Sequence, residues 1–150
     1  MLDGTDIVYV ARVAAGRIMQ VGLSVGSRLP AFCSSMGRVL LAGPAGEELD
    51  ALFRRAKLRP YTPHTVTDQG ELRRILAEVR VQGWALVNEE LELGLRSLAV
   101  PVRRRSGAIL AAMNVSAHAN RVSAESMVAN CLPVLRDAAD RIRHSLTAVA

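Results

Sequence analysis

The stretch Val25–Ala42, VGSRLPAFCSSMGRVLLA, constrains the fold most, because it predicts an extended segment that runs directly into a helix. Pro30 pushes Leu29 towards β or polyproline II geometry. Ser34 or Ser35 can then cap the first free N–H groups of the apolar helix that follows. Such a helix start also leaves room for a small anion, although a capped helix with small residues for packing explains the same pattern.

Composition favours one globular domain. Of the 150 residues, 50% are hydrophobic and only 3% aromatic, which predicts an aliphatic core in a chain long enough to bury one. No apolar run is long enough to span a membrane, and the first residues do not resemble a signal peptide. Cys33 and Cys131 show no metal-ligand spacing and are expected as reduced thiols in a cytoplasmic protein. The net charge of +5 comes almost entirely from dispersed arginines, a pattern more typical of genome composition than of nucleic-acid binding.

The hydrophobic pattern predicts two strands, three helices, three strands and a last helix. This order indicates an α+β domain with an antiparallel-rich sheet covered by helices. Pro101 argues for a strand edge or a bulge, and Pro133 should kink or split the last helix. The predicted strands are Asp6–Ala14, Arg17–Leu23, Trp84–Asn88, Leu95–Val102 and Ala108–Ser116, and the helices start near Ser35, Pro44, Asp68 and Ser123.

No catalytic signature is present: GxSxG, GxGxxG and Walker A motifs are all missing from the sequence. Cys33 would need a base to act as a nucleophile, and a packed thiol explains it better. The acidic run Glu89–Glu92 can be read as paired acids, as a solvated loop or as salt-bridge partners of Arg96. We expect no catalytic residue, metal or cofactor, and we expect the isolated histidines on the surface: His64, His118 and His144.

Two polar residues in the last predicted strand suggest a binding surface. Asn114 and Ser116 alternate on one face of that strand, in phase with Ala112. Burying them costs free energy unless they are hydrogen-bonded. A polar ligand would satisfy them, and so would a neighbouring backbone group or a buried water, so this pattern alone leaves both interpretations open.

Several segments together resemble a known family: GSRLPAFCSSMGRVLLA, RPYTPHTVTD, GWALVNEELELGLRSLAVPV and AAMNVS. They are similar to the C-terminal effector-binding domain of IclR-family transcriptional regulators, and within it to the branch that governs aromatic-acid catabolism through the β-ketoadipate pathway. The resemblance implies a GAF-like domain across residues 1–150, with a central antiparallel sheet flanked by helices. It also implies a small carboxylate effector and assembly into dimers or tetramers. DNA would be contacted only by the family's N-terminal winged helix-turn-helix, to which nothing here corresponds.

The same resemblance implies a set of effector-site residues. Val87 and Ser97 stand where a member that binds small 2-oxo acids has Asp and Cys, which favours a larger aromatic or dicarboxylic acid. Arg17, Arg28 and Arg96 are candidate carboxylate partners, since guanidinium can bind carboxylate bidentately, although the last two could equally pair with the acidic run. The implied pocket consists of an apolar side and a polar side: Val21, Leu29 and Met36 with Ser35 at the helix start, then Ser97, Asn114 and Ser116.

Two other classes of function remain open from the residues alone. One is a small enzyme that uses Cys33 or the acidic run Glu89–Glu92. The other is an oligomerisation module whose pocket is structural and empty. Binding of an acid without turnover would distinguish a sensor domain from both.

Overall fold

A computed structural model of the chain describes residues 1–13 and 23–147. Its elements are two short strands, a third strand after the gap, three helices, three longer strands and a long final helix. In chain order they are β1 (Leu2–Asp3), β2 (Asp6–Val8), β3 (Arg28–Pro30), α1 (Ser35–Leu41), α2 (Glu47–Arg55), α3 (Gln69–Gln82), β4 (Ala85–Asn88), β5 (Leu95–Arg103), β6 (Ile109–His118) and α4 (Ala124–Thr147).

The strands described here form two antiparallel sheets of three strands each, in the orders β1-β2-β3 and β4-β5-β6. Helix α4 packs on one face of the second sheet through Met127, Leu132 and Leu135. Helices α1 and α3 pack on the other face. Because β5 is covered on both faces, its residues Ser97–Val100 are buried without alternation. The predicted α+β class, with helices flanking an antiparallel sheet, is confirmed.

The small sheet differs from the predicted hairpin. The first predicted strand, Asp6–Ala14, is regular only over Asp6–Val8, and it pairs with β1 on one side and β3 on the other. Its predicted partner, Arg17–Leu23, lies outside the described residues except for Leu23. Strand β3 is the extended segment that Pro30 predicted, and it leads directly to α1.

Two helix starts and one helix end follow local chemistry. The Ser34 hydroxyl oxygen accepts a hydrogen bond from the Gly37 N–H at 3.2 Å, so Ser34 caps α1. The Asp68 carboxylate accepts one from the Glu71 N–H at 2.8 Å and caps α3. Helix α3 ends at Gly83, whose φ of 77° is left-handed. These three predictions are confirmed.

One helix start needs correction. Helix α2 starts at Glu47, not at Pro44, because Gly46 has a φ of 56°, outside the helical region. The Pro44 carbonyl oxygen before it accepts a hydrogen bond from Arg80 Nη2 at 2.7 Å. Of the two outcomes expected at Pro133, a kink or a split, the split is excluded because Pro133 lies inside one continuous helix.

Pro101 lies in the middle strand of its sheet, yet its position agrees with the predicted edge or bulge. The β4 ladder ends where Ala85 faces Ala99, so beyond that point β5 pairs only with β6. The register to β6 then shifts between Val102 and Arg103. A missing N–H is therefore tolerated at this point of β5.

Gly37 is required by the packing of α1 against the chain before it. A Cβ at this position would lie 2.0 Å from the Ala31 carbonyl oxygen, which is backbone and cannot move aside cheaply. We therefore predict that Gly37→Ala lowers the free energy of unfolding by at least about 3 kcal/mol, the upper range for overpacking. Urea unfolding followed by circular dichroism measures this.

The matched control is Gly43→Ala. A Cβ there meets its nearest neighbours at 3.4 and 3.6 Å, which is ordinary contact. We expect a change below about 1 kcal/mol for this variant. Equal effects of the two substitutions would contradict the close approach of α1 to Ala31.

Candidate ligand site

The predicted polar residues of β5 and β6 lie on one face of the second sheet. Ser97 is directly opposite Ser116 on β6 and Val87 on β4, and Asn114 is opposite Ala99. Directly opposed residues of an antiparallel pair point to the same face. This is the face covered by α1 and α3, because Ala99 packs there in one cluster with residues of both helices. We call it the α1 face of the sheet.

Two serines of this region are largely buried residues. Ser97 is 7% exposed and Ser35, the first residue of α1, is 1% exposed. Neither hydroxyl makes a hydrogen bond with any described residue. Every side-chain oxygen or nitrogen that is fully enclosed among the described residues does have a partner. The Ser97 hydroxyl must therefore face space that a small polar molecule can reach.

Asn114 and Ser116 partly satisfy each other. The Asn114 side-chain Nδ2 donates a hydrogen bond to the Ser116 hydroxyl at 3.2 Å. Asn114 is half-buried and Ser116 is exposed, so the free-energy cost of removing these two side chains from water is small. The oxygen and the second N–H of the Asn114 side-chain amide stay available to a ligand.

Of the predicted apolar residues, Met36 on α1 packs against the cluster that contains Ala99 on the α1 face. Leu29, on β3, packs against a second cluster that includes Cys33. Val21 lies outside the described residues.

The candidate arginines are placed elsewhere. Arg96 faces Ala117 in the register, on the α4 side, and its guanidinium donates to the carbonyl oxygens of Ala119 and Val122 and to Asn88 Oδ1. Arg28 pairs on the surface with Asp3 and Asp6. Neither arginine pairs with the acidic run, contrary to that alternative. Arg17 lies outside the described residues.

A buried ion pair that the sequence did not reveal lies next to the helix start. Arg38, 2% exposed, donates from Nη1 and Nη2 to the two carboxylate oxygens of Glu90 at 2.7 and 2.6 Å. Its Nε donates to the Phe32 carbonyl oxygen at 2.9 Å, just before the capping serines. The guanidinium thus fixes the entry to α1.

Glu90 also orders the loop that precedes α3. Its carboxylate accepts a hydrogen bond from the Val66 N–H at 3.0 Å, and its carbonyl oxygen accepts one from the Thr65 hydroxyl at 2.5 Å. Thr62 donates to the neighbouring Glu89 carbonyl oxygen at 2.6 Å. The acidic run is therefore not simply a solvated loop. The available sequence signal was an arginine inside the apolar helix α1, since a buried guanidinium requires a carboxylate.

Cys33 lacks the properties of a nucleophile. It is fully buried, and burial raises the pKa of its thiol to about 12. The thiolate is the reactive form, so this cysteine is inert at neutral pH. Among the described residues, no group of three or more His, Cys, Asp or Glu side chains could hold a metal ion.

Two surface clefts can be described. One, of about 580 Å³, is found at the C-terminal end of α1, between Ala42, Pro44 and the β5–β6 turn, and it reaches Val39 and Val79 at the edge of the α1 face. A second, of about 250 Å³, lies beside α4 and is lined by Arg103, Arg136 and Arg143. None of the predicted site residues lines either cleft. None of the described helices is long and apolar enough to cross a membrane.

The chain belongs to the family described as the C-terminal region of bacterial IclR transcriptional regulators, whose sequence pattern it matches over residues 1–144. The recognition of this family from the sequence segments is confirmed. It is 46% identical over 146 residues to the Pca regulon regulatory protein of Pseudomonas putida, covering 97% of this chain and 50% of that protein. The chain thus spans about half the length of the curated relative it matches.

Solved structures show the same fold. The PobR inducer-binding domain from Acinetobacter, a double mutant in complex with 3-hydroxybenzoic acid, matches with a TM-score of 0.88 and 35% identity, covering 95% of this chain and 83% of that one. An IclR homologue from Microbacterium hydrocarbonoxydans, in complex with 4-hydroxybenzoate, matches with a TM-score of 0.85 and 27% identity, covering 98% of this chain and 58% of that one. The relatives regulate transcription, which agrees with the expectation of a non-enzymatic domain.

The buried ion pair makes a testable contribution to stability. Glu90→Gln leaves the Arg38 charge buried without a carboxylate, so we expect the free energy of unfolding to fall by about 3 to 5 kcal/mol. Urea unfolding measures the loss. The double variant Arg38→Met/Glu90→Gln should be less destabilised than the sum of the two single variants, because it leaves no unpaired charge.

Arg74→Met is the matched control. Arg74 pairs with Glu71 and Glu78 on the exposed face of α3, where water screens the charges. We expect little change in stability from this substitution. A loss as large as that of Glu90→Gln would contradict the special role of the buried pair.

The two cysteines should differ in reactivity. Because the pKa of Cys33 is raised to about 12, its thiol stays protonated at pH 8, whereas Cys131 is only half-buried on α4. We predict that iodoacetamide modifies Cys131 and spares Cys33 in the folded protein, and that both react in urea. Peptide mass spectrometry identifies the modified residue. Rapid modification of Cys33 in the native state would favour the enzyme hypothesis.

Proposed function

We propose that this chain is the effector-sensing domain of a bacterial transcriptional regulator and that its effector is an aromatic carboxylic acid. The observation that carries the proposal is the Ser97 hydroxyl, which belongs to a largely buried residue on the α1 face and has no hydrogen-bond partner among the described residues. Because no fully enclosed polar side-chain atom of the described residues lacks a partner, this hydroxyl faces space that a small molecule can reach. A ligand carboxylate there would accept its hydrogen bond.

The residues around Ser97 suit an acid with a flat apolar body. Ala99 and Val87 flank it on the sheet, and Met36 packs over the same face from α1. These side chains carry no charge; Val87 and Ala99 are already buried, and Met36 is the partly exposed one that can contact a ligand. An aromatic ring between them removes apolar area from water on both of its faces.

The polar groups would bind the carboxylate. In this proposal Ser97 and Ser35 donate hydrogen bonds to the carboxylate oxygens, and the amide of Asn114 binds the same end of the ligand. Hydrogen bonds to an ionised group are roughly twice as strong as neutral ones. Arg96 and Arg28 do not bind the carboxylate in this proposal, because their guanidinium groups already pair with other groups of the protein, away from the α1 face.

Relatives support the aromatic class. The solved PobR domain holds 3-hydroxybenzoic acid and the Microbacterium homologue holds 4-hydroxybenzoate, each in the same fold. In our proposal DNA is contacted by the part of those relatives that this chain does not span, and the domain associates with itself as a dimer or tetramer. The regulator acts in the bacterial cytoplasm. An oligomerisation module without an effector is the competing function, and the test below separates the two.

The test is a thermal-shift and calorimetric comparison of 4-hydroxybenzoate, protocatechuate, β-ketoadipate and pyruvate. An aromatic acid at one hundred times its Kd should stabilise the domain by about 2.7 kcal/mol, without being consumed. We expect Ser97→Ala to weaken its binding about 10- to 100-fold, since a hydrogen bond to a charged group is lost. Asn114→Leu should abolish binding while leaving the fold intact.

Ser145→Ala is the control variant, because Ser145 is exposed on α4 and bonds only to the Arg141 carbonyl oxygen. It should bind like wild type. Tighter binding of pyruvate than of any aromatic acid would overturn the proposed effector class. No shift with any acid would favour the oligomerisation module, and wild-type affinity in Ser97→Ala would overturn the assignment of the site.

A further inference from the structure

His118 lies on the α1 face of the sheet, two residues beyond Ser116. In the β5–β6 register it is opposite Leu95, and Ser116 is opposite Ser97, so all four side chains leave the sheet on the same side. His118 is half-buried. The expectation of an isolated surface histidine therefore does not describe its position, which continues the polar row of Asn114 and Ser116.

The imidazole of His118 has no partner within the described part of the chain. Neither ring nitrogen makes a hydrogen bond or an ion pair with a described residue. Its Nδ1 lies 3.7 Å from where a Cβ of Gly94 would be, so it leans over the turn before β5. The Glu89 carboxylate in that turn is already used, since its Oε1 accepts the Gly94 N–H at 2.7 Å.

The backbone holds this histidine in place. The His118 carbonyl oxygen accepts hydrogen bonds from the N–H groups of Arg121 and Val122, at 3.0 and 3.1 Å. The Ala119 N–H donates to the Gly94 carbonyl oxygen at 2.8 Å. The backbone is therefore fixed at both sides of a half-buried imidazole, and the two ring nitrogens have no hydrogen-bond partner among the described residues.

We propose that His118 recognises the second polar group of the effector, the ring hydroxyl opposite the carboxylate. This inference rests on the proposed function. Ser116 is two residues before His118 on β6, and Ser97 lies opposite Ser116. The separation along the strand is about 7 Å, which matches the span of a benzene ring with substituents at both ends. A neutral imidazole can donate from one nitrogen and accept at the other, so it matches a hydroxyl group, which both donates and accepts.

The positions of these polar side chains indicate which end of the effector each of them binds. Ser35 and Ser97 are buried donors and suit the carboxylate, whereas His118 is nearer the solvent-exposed turn. A site that hydrogen-bonds a substrate hydroxyl rejects the analogue that lacks it, because the site's polar group is then unpaired. His118 is in this way a specificity-determining residue: it distinguishes hydroxybenzoates from benzoate.

The experiment compares the affinities of two proteins, each for the same two acids. Calorimetry gives the affinities of wild type and His118→Phe for 4-hydroxybenzoate and for benzoate. We expect wild type to prefer 4-hydroxybenzoate about tenfold, one hydrogen bond's worth, and His118→Phe to lose this preference by weakening 4-hydroxybenzoate alone. His118→Gln, which keeps a donor and an acceptor, should restore part of the preference. Circular dichroism establishes that each variant is folded.

His64→Phe is the control, since His64 is an exposed histidine in the loop before α3. It should retain the wild-type preference. If folded His118→Phe loses affinity for both acids equally, or keeps the wild-type preference, the role of His118 is overturned while the proposed function stands. If wild type binds neither acid, the aromatic effector is overturned and the inference falls with it.

Discussion

The ion pair between Arg38 and Glu90 is the interaction on which the arrangement around the α1 face depends. Both groups are charged and buried, and each would be strongly unfavourable without the other. Arg38 also holds the Phe32 carbonyl oxygen, and Glu90 holds the Val66 N–H. One bidentate contact therefore joins three segments that are distant in sequence: the entry to α1, the loop before α3 and the turn after β4.

This junction lies close to the proposed ligand contacts along the chain. Ser35 is one helical turn before Arg38, and Val87 is three residues before Glu90. A ligand between α1 and the sheet would touch the same two elements that the ion pair joins. An effector can shift a regulator only if it binds one conformation more tightly than another. Under the proposed function, a contact at Ser35 acts on a helix that the ion pair ties to the β4–β5 turn.

The parts of the fold that were predictable are those decided by neighbours in sequence. The cap of Asp68 on Glu71 and the left-handed end at Gly83 need only residues a few positions apart. Arg38 and Glu90 are 52 positions apart, so only the tertiary structure pairs them. The start of α2 was predicted wrongly because Gly46 takes a φ of 56°, outside the helical region, which the sequence pattern around Pro44 does not reveal. The family resemblance supplied the rest of the candidate site. The sequence alone did not place His118 beside it, because the strand register that puts His118 on the same face as Ser116 is visible only in the structure.

Under the proposed function, the composition of the α1 face explains how this fold selects among related acids. Where β4, β5 and β6 lie side by side, this face carries small residues, Ala85, Ala99 and Ala112, with hydroxyl and amide groups placed between them. Apolar contact alone discriminates weakly between molecules of similar shape. In the proposed site the Ser97 hydroxyl discriminates strongly, because a ligand that covers it without a hydrogen bond leaves the group desolvated and unpaired. Selectivity in such a site follows from a few polar atoms held on the sheet.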